Sequence, residues 1–456
     1  MSAFENYLAL RAVELERAIP KASRRHVHIS TRPLILLGYH LAGDVGAPLA
    51  LMWGTERIHP RLVVVPEPRN RELRFDALRI FGADFAAYLE SFNEDSGGAP
   101  QIIVPNRATA EWLFGIVGRF TRNLRLDSNP APHPIVPLAG KHLSFFHNQR
   151  PGSNLVLPAT ESLIIHWQTG QLPSENLNLS SLLAWIAPDA NTTGANSAKR
   201  RERLPPAGPL SDPNWDADSL AKLNQDWHHA TLGTARARVV ARLEADIREQ
   251  LDHTWMDCWH ARELISSLPE ANSVARRWDR DRNEWLNHYK RIETETAWFR
   301  NVPTPIHSAR TLKKFEDATK ELESDMALDD PLVLAKYVAS GEAFPAKVLC
   351  LDVTRIRQPH LILEPLVHVV RPPGAKLFLT TNREVEIEIL SCDANRITAN
   401  VVSGACTKKT HSRLPLPGDE IILGPFGKPG FFPHLEFEEV PWTHQISDHT
   451  IEAEDE

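Results

Sequence analysis

Residues 343–370 read AFPAKVLCLDVTRIRQPHLILEPLVHVV, and their change of periodicity decides the fold. Upstream, apolar residues recur every three or four positions. Here they alternate or run together in short blocks, which suits strands rather than helices. The pattern continues to residue 431, with strands expected over Ala346–Val353, His360–Val370, Lys376–Thr381, Val385–Leu390, Ile397–Val402 and Glu420–Leu423. Turn residues separate them at Pro372–Gly374, Ser391–Asn395, Ser403-Gly404 and Pro417-Gly418-Asp419. Six short strands so closely spaced predict a small β-barrel of the oligonucleotide-binding or a related type, since closure removes unpaired sheet edges.

Outward from the barrel, residues 217–342 are expected to be helical. Val239, Leu243, Ile247, Leu251, Trp255, Cys258 and Trp259 form one apolar stripe; Val274, Trp278, Trp285, Tyr289, Ile292 and Phe299 form another. Breaks at Leu268-Pro269 and Pro303–Pro305 divide the region into a helical hairpin or bundle able to act as a stalk. Residues 187–216, APDANTTGANSAKRRERLPPAGPLSDPNWD, have almost nothing to bury and read as a flexible linker. Residues 1–186 carry strand patterns at Pro33–Leu41, Pro48–Gly54, Leu62–Val65 and Gln101–Val104, with helices over 74–92 and Ala108–Phe120. Such an order predicts an α/β domain, making the whole an α+β multidomain chain that ends in an acidic tail, 432–456.

Composition narrows the class. The chain has 456 residues, 42% of them hydrophobic and 24% charged, enough for more than one buried core. No apolar run approaches the roughly 20 residues of a membrane span, and the start lacks a cleavable signal's basic segment, so a cytoplasmic location is expected. Cys258, Cys350, Cys392 and Cys406 contain no C-x-x-C pair, which argues against disulfide, zinc-ribbon and thioredoxin frameworks and predicts free thiols. The net charge of −7 opposes bulk coating of nucleic acid. Charge is nevertheless uneven: residues 343–431 hold 11 Lys/Arg against 8 Asp/Glu, and residues 432–456 hold no Lys or Arg and 8 acids. The tail reads as a solubility element that can also compete with nucleic acid for a basic face.

The barrel cations Arg355, Arg357, Lys376, Arg383, Arg396, Lys408, Lys409 and Arg413 are the candidate phosphate contacts, with surface solubility as their plainer role. His253, Asp257 and His260, at i, i+4 and i+7, share one helical face and carry donor types for a divalent metal, the one cofactor left open; the same spacing describes an ordinary polar face. Trp278, Trp285 and Tyr289 alternate with Arg276, Arg277, Arg280, Arg282, Lys290 and Arg291, an arrangement for base stacking or, as the helical spacing favours, core packing. Ile135 and Ile422 occupy the first-glycine position ahead of Gly140-Lys141 and Gly427-Lys428, so no P-loop is present. G-x-S-x-G, H-E-x-x-H and dinucleotide signatures are also missing, which favours a non-enzymatic role.

Two segments resemble known families. The hairpin, third strand, helix and following QIIVPNRATAEWLFGIVGRF (101–120) resemble the sheet of ribonuclease H-like exonucleases. That resemblance implies carboxylates on the first strand holding catalytic metal ions, but LILLGYHLAGD (34–44) offers only Asp44, beyond its end, so a degenerate site is expected. Glu56, Glu67, Asp76 and Asp84 are the acids able to rebuild a cluster. DDPLVLAKYVASGEAFPAKVLCLDVTRIRQPHLILEPLVHVV (329–370), closed by LPLPGDEIILGPF (414–426), resembles the stalk-plus-barrel insert of superfamily-1 helicases without the motor. It implies nucleic-acid contact without ATP hydrolysis. The expectation is therefore a non-motor accessory factor that binds DNA, RNA or a helicase partner. The alternatives are a metal-dependent nuclease or other hydrolase, and a protein–protein scaffold.

Overall fold

The computed structural model describes residues 3–205, 208–297, 299 and 304–427; the acidic tail lies outside them. Strands β1 (Leu34–His40), β2 (Pro48–Gly54), β3 (Arg61–Val64), β4 (Ile102–Val104) and β5 (Val156–Pro158) form one sheet in the order β3-β2-β1-β4-β5. β2 is antiparallel to both its neighbours, whereas β4 and β5 run parallel to β1. All seven residues of β1 are buried because both faces of the sheet are covered. Alternation along the strand assigns them: Ile35, Leu37 and Tyr39 join one core with Met52 and Ile103, and Leu34 and Leu36 join the other with Trp53 and Ile102.

The coverage differs from a stalk. Helix Gly233–Ser266 lays its stripe, from Val239 to Trp259, on the first face of the sheet. Helix Asn272–Glu293 sends Trp285 into the other core, among Phe81, Phe85, Phe145 and Phe146, where the indole N–H donates to the Phe92 carbonyl at 2.6 Å. The two helices expected to form a hairpin instead clasp the sheet domain from opposite sides, because each apolar stripe is buried against its own face. The segment read as a linker contains helix Gly194–Arg201, whose Ala198 packs on Ala184 and Trp185.

A third helix, Pro305–Asp329, carries the connection to the barrel. Asp325 accepts from Arg276 at 2.6 Å and from Arg383 of the barrel at 2.7 Å, with Arg277 at 3.9 Å. Four residues on, Asp329 accepts from the Ser273 backbone N–H at 2.7 Å, and Asp330 accepts from the Ser23 and Arg24 backbone N–H groups at 2.6 and 2.8 Å. One helix end thus joins the barrel, a sheet-covering helix and the N-terminal segment.

The barrel comprises β6 (Phe344–Asp352), β7 (His360–Pro365), β8 (Lys376–Leu379), β9 (Asn382–Asp393), β10 (Arg396–Ser403) and β11 (Glu420–Gly424). It closes in the order β8-β9-β10-β7-β6-β11, every pairing antiparallel. Val385, Ile387 and Ile389 of β9 face Leu361, Ala399 and Val401 within a continuous apolar interior. Gly404 begins the long connection to β11 at φ +78°, and a Cβ there would lie 1.8 Å from the Glu384 carbonyl oxygen, so only glycine fits.

Two outcomes follow. Asp325→Ala leaves three arginines around a vacated buried position and should cost about 3 kcal/mol of stability in urea unfolding. His166 is held neutral, since its Nδ1–H donates to the Ser162 carbonyl while Nε2 accepts from the His26 backbone N–H, and burial drives its pKa down from 6.5 to about 4. A folded-state pKa below the unfolded value means that stability is full above pH 6.5 and declines as pH falls towards 4, by on the order of 3 kcal/mol. Unfolding measured across that window should show the decline, and His166→Gln should lessen it without abolishing it, because burial also lowers the pKa values of His142 and His288.

Candidate nucleic-acid interface

Barrel topology sorts the eight candidate cations. Arg355 and Arg357 stand on the connection between β6 and β7, and Lys408, Lys409 and Arg413 on the connection between β10 and β11, at the same end of the barrel. These two connections touch: the His411 ring Nε2 lies 3.1 Å from the Ile356 carbonyl oxygen. Arg396 opens β10 after the turn at the opposite end. Lys376 lies 3.3 Å from Glu386, Arg383 is held by Asp325, and Arg413 is 2.7 Å from Glu384 and 3.2 Å from the Gly404 carbonyl. Intramolecular pairing therefore occupies those three.

Arg355, Arg357, Lys408 and Lys409 remain, all exposed, and no salt bridge holds any of them among the described residues. Acids share this end: Glu384 meets Arg413 there, Glu420 opens β11, and Asp352 and Asp419 are turned to local backbone. Asp352 accepts from the Thr354 N–H at 2.8 Å, which holds its carboxyl below the usual range, and Asp419 accepts from the Leu416 N–H at 2.7 Å. These two bridged loops thus carry four exposed cations of the kind that pairs with phosphate oxygens.

The other candidate sites resolve differently. His253, Asp257 and His260 lie on helix Gly233–Ser266, but His253 engages the Pro205 carbonyl at 2.9 Å, and Asp257 is buried against the Ser180 hydroxyl with Arg201 at 3.7 Å. Burial raises the Asp257 pKa, against the opposing pull of Ser180 and Arg201. No group of three His, Cys, Asp or Glu is placed to hold a metal ion among the described residues. Glu67 meets Asn70 and His228, Asp76 meets Arg79, and Asp84 accepts from the Trp53 indole at 3.0 Å beside Arg61, leaving these acids apart from one another; Glu56 sits exposed. On β1 itself, a Cβ at Gly38 would meet the Trp112 ring at 2.2 Å, and the indole N–H donates to the Val45 carbonyl at 2.9 Å. The indole fills the surface of the first strand.

Among the interleaved aromatics, Trp285 is fully buried and Trp278 stacks on His28 at 4.1 Å. Arg276 and Arg280 are taken by Glu321, Arg277 by the His26 carbonyl, and Arg282 by the Gly97 carbonyl. Packing accounts for that stretch up to residue 285. All four cysteines are free, with Cys258 buried and Cys350 exposed. No described helix is long and apolar enough to cross a membrane. No protein family, curated protein or solved structure matches the chain.

Asp257→Ala removes the partner of a buried hydroxyl. It should lower stability by about 2 kcal/mol, equally in chelator and in zinc, when urea midpoints are compared.

Proposed function

We propose that the chain is a cytoplasmic, non-motor nucleic-acid-associated factor that engages DNA or RNA through the loop end of its barrel. The observation that carries this reading is the set of four exposed cations, Arg355, Arg357, Lys408 and Lys409, held by no salt bridge among the described residues, on two connections joined by the His411 contact. In barrels of the oligonucleotide-binding type, connecting loops are among the surfaces that meet the ligand, together with one strand face. The mixed sheet, with two parallel strands added beside β1, supports the resemblance to the ribonuclease H-like arrangement, and the indole over Gly38 supports a degenerate site within it. A fold likeness alone assigns no activity.

Fluorescence anisotropy with labelled single- and double-stranded oligonucleotides tests the reading. Affinity should weaken steeply as salt rises, and replacing all four cations with alanine should reduce the salt slope by about 4, since each of them neutralises one phosphate. Binding that is indifferent to salt, or unchanged in that variant, would overturn it. A protein–protein role has one observation of its own: Leu366, Val367 and Val370 stand exposed on the connection at the other end of the barrel. Co-purification of a partner after nuclease treatment, abolished by substituting these three with serine, would favour that second reading.

A further inference from the structure

A cavity of about 930 Å³ opens between helices Asn272–Glu293 and Pro305–Asp329, floored by the end of helix Ile135–His147. The two long helices are tied at the far end of their contact, where Arg276 and Arg280 each lie 2.8 Å from Glu321 and Arg276 reaches Asp325 at 2.6 Å. Beyond those ties they part, and the faces that would otherwise meet line the opening. Lys290 and Arg291 stand on one side; Arg310 and Lys314, four residues apart and so on one helical face, stand on the other.

Cations outnumber acids on these walls. The carboxylate among the lining residues, Glu284, is already 3.0 Å from Arg150. Among the described residues no salt bridge holds Lys290 or Lys314, although nearby Lys313 is paired with Asp317 at 2.8 Å. Of the lining rings, Phe145 is buried and stacked on His288 with centroids 4.1 Å apart, whereas Phe299 and Phe315 are half-buried. Flat rings beneath a rim of cations suit a ligand with one planar apolar part and one strongly anionic part. The volume falls in the range of small-molecule sites.

We propose that this groove binds a nucleoside phosphate, either as a free nucleotide or as the end of a nucleic-acid strand. The base rests against Phe299 and Phe315, and the phosphate lies among Lys290, Arg291 and Lys314. The site is built from elements other than the barrel connections and stands independently of them.

The test uses the full chain and two probes in anisotropy titrations, a fluorescent ATP analogue and a 5′-labelled oligothymidylate. Lys290→Ala combined with Lys314→Ala should weaken binding about tenfold and lower the salt slope by about 2, and the corresponding double arginine variant should restore it. Weakening with both probes identifies a free-nucleotide site; weakening with the oligonucleotide alone identifies a strand-end site. The four-cation barrel variant should leave the ATP analogue's affinity unchanged, which separates this groove from the barrel edge. If both probes bind the double alanine variant as tightly as the parent chain, or neither probe binds the parent, the proposal is overturned. An unchanged thermal midpoint in the double variant shows that any weakening arises at the groove rather than from unfolding.

Discussion

Three carboxylates at one helix end organise the assembly. Asp325, Asp329 and Asp330 sit where a helix presents unpaired carbonyl groups, a place that disfavours negative charge. They persist there because each is satisfied from outside the helix: Asp325 by arginines of a sheet-covering helix and of the barrel, Asp329 by the Ser273 backbone, and Asp330 by the backbone of the N-terminal segment. Asp330 also accepts from the Leu332 N–H and so starts the next helix. Buried charge is tolerable only when its partners are fixed, so this cluster demands a definite arrangement of the parts it joins. The divergence of the helices above it, and with it the cationic groove, is a geometric result of tying them at one end.

Much of the architecture was legible in the residues, and the exceptions have physical causes. All six barrel strands coincide with their period-two patterns. The stretch from His360, however, ends as a strand at Pro365, because the apolar LVHVV that follows leaves the sheet and stands partly in solvent. Helix Ile135–His147 escaped notice because Pro137 interrupts its start; in a first turn that proline forfeits no hydrogen bond. The apolar stripes on the long helices were visible, but periodicity states only that a face is buried, never against what. Both stripes found the sheet.

Charged residues were the least readable. Arg383 and Arg357 are equivalent in sequence, yet one is consumed by an aspartate 58 positions away while the other stays exposed. Lys290 and Arg291 stand within an aromatic, basic run whose earlier members all proved to be packing or pairing groups. Their neighbours in the groove, Arg310 and Lys314, belong to another helix and carried only the signal of shared facing. Which charges find partners is a property of tertiary structure. The lack of carboxylates on β1 is evident by inspection of the sequence; the Trp112 indole packed against its Gly38 is not.

Coverage of the sheet by Gly233–Ser266 on one side and Trp285 on the other has a consequence for biosynthesis. The last strand, β5, ends at Pro158, while the second covering helix ends at Glu293. At a ribosome's pace of about 5–20 residues per second, the newborn sheet therefore waits on the order of ten seconds with apolar surface uncovered. Nascent chains in that interval are natural clients for chaperones, and a pause in translation between these points would lengthen their exposure.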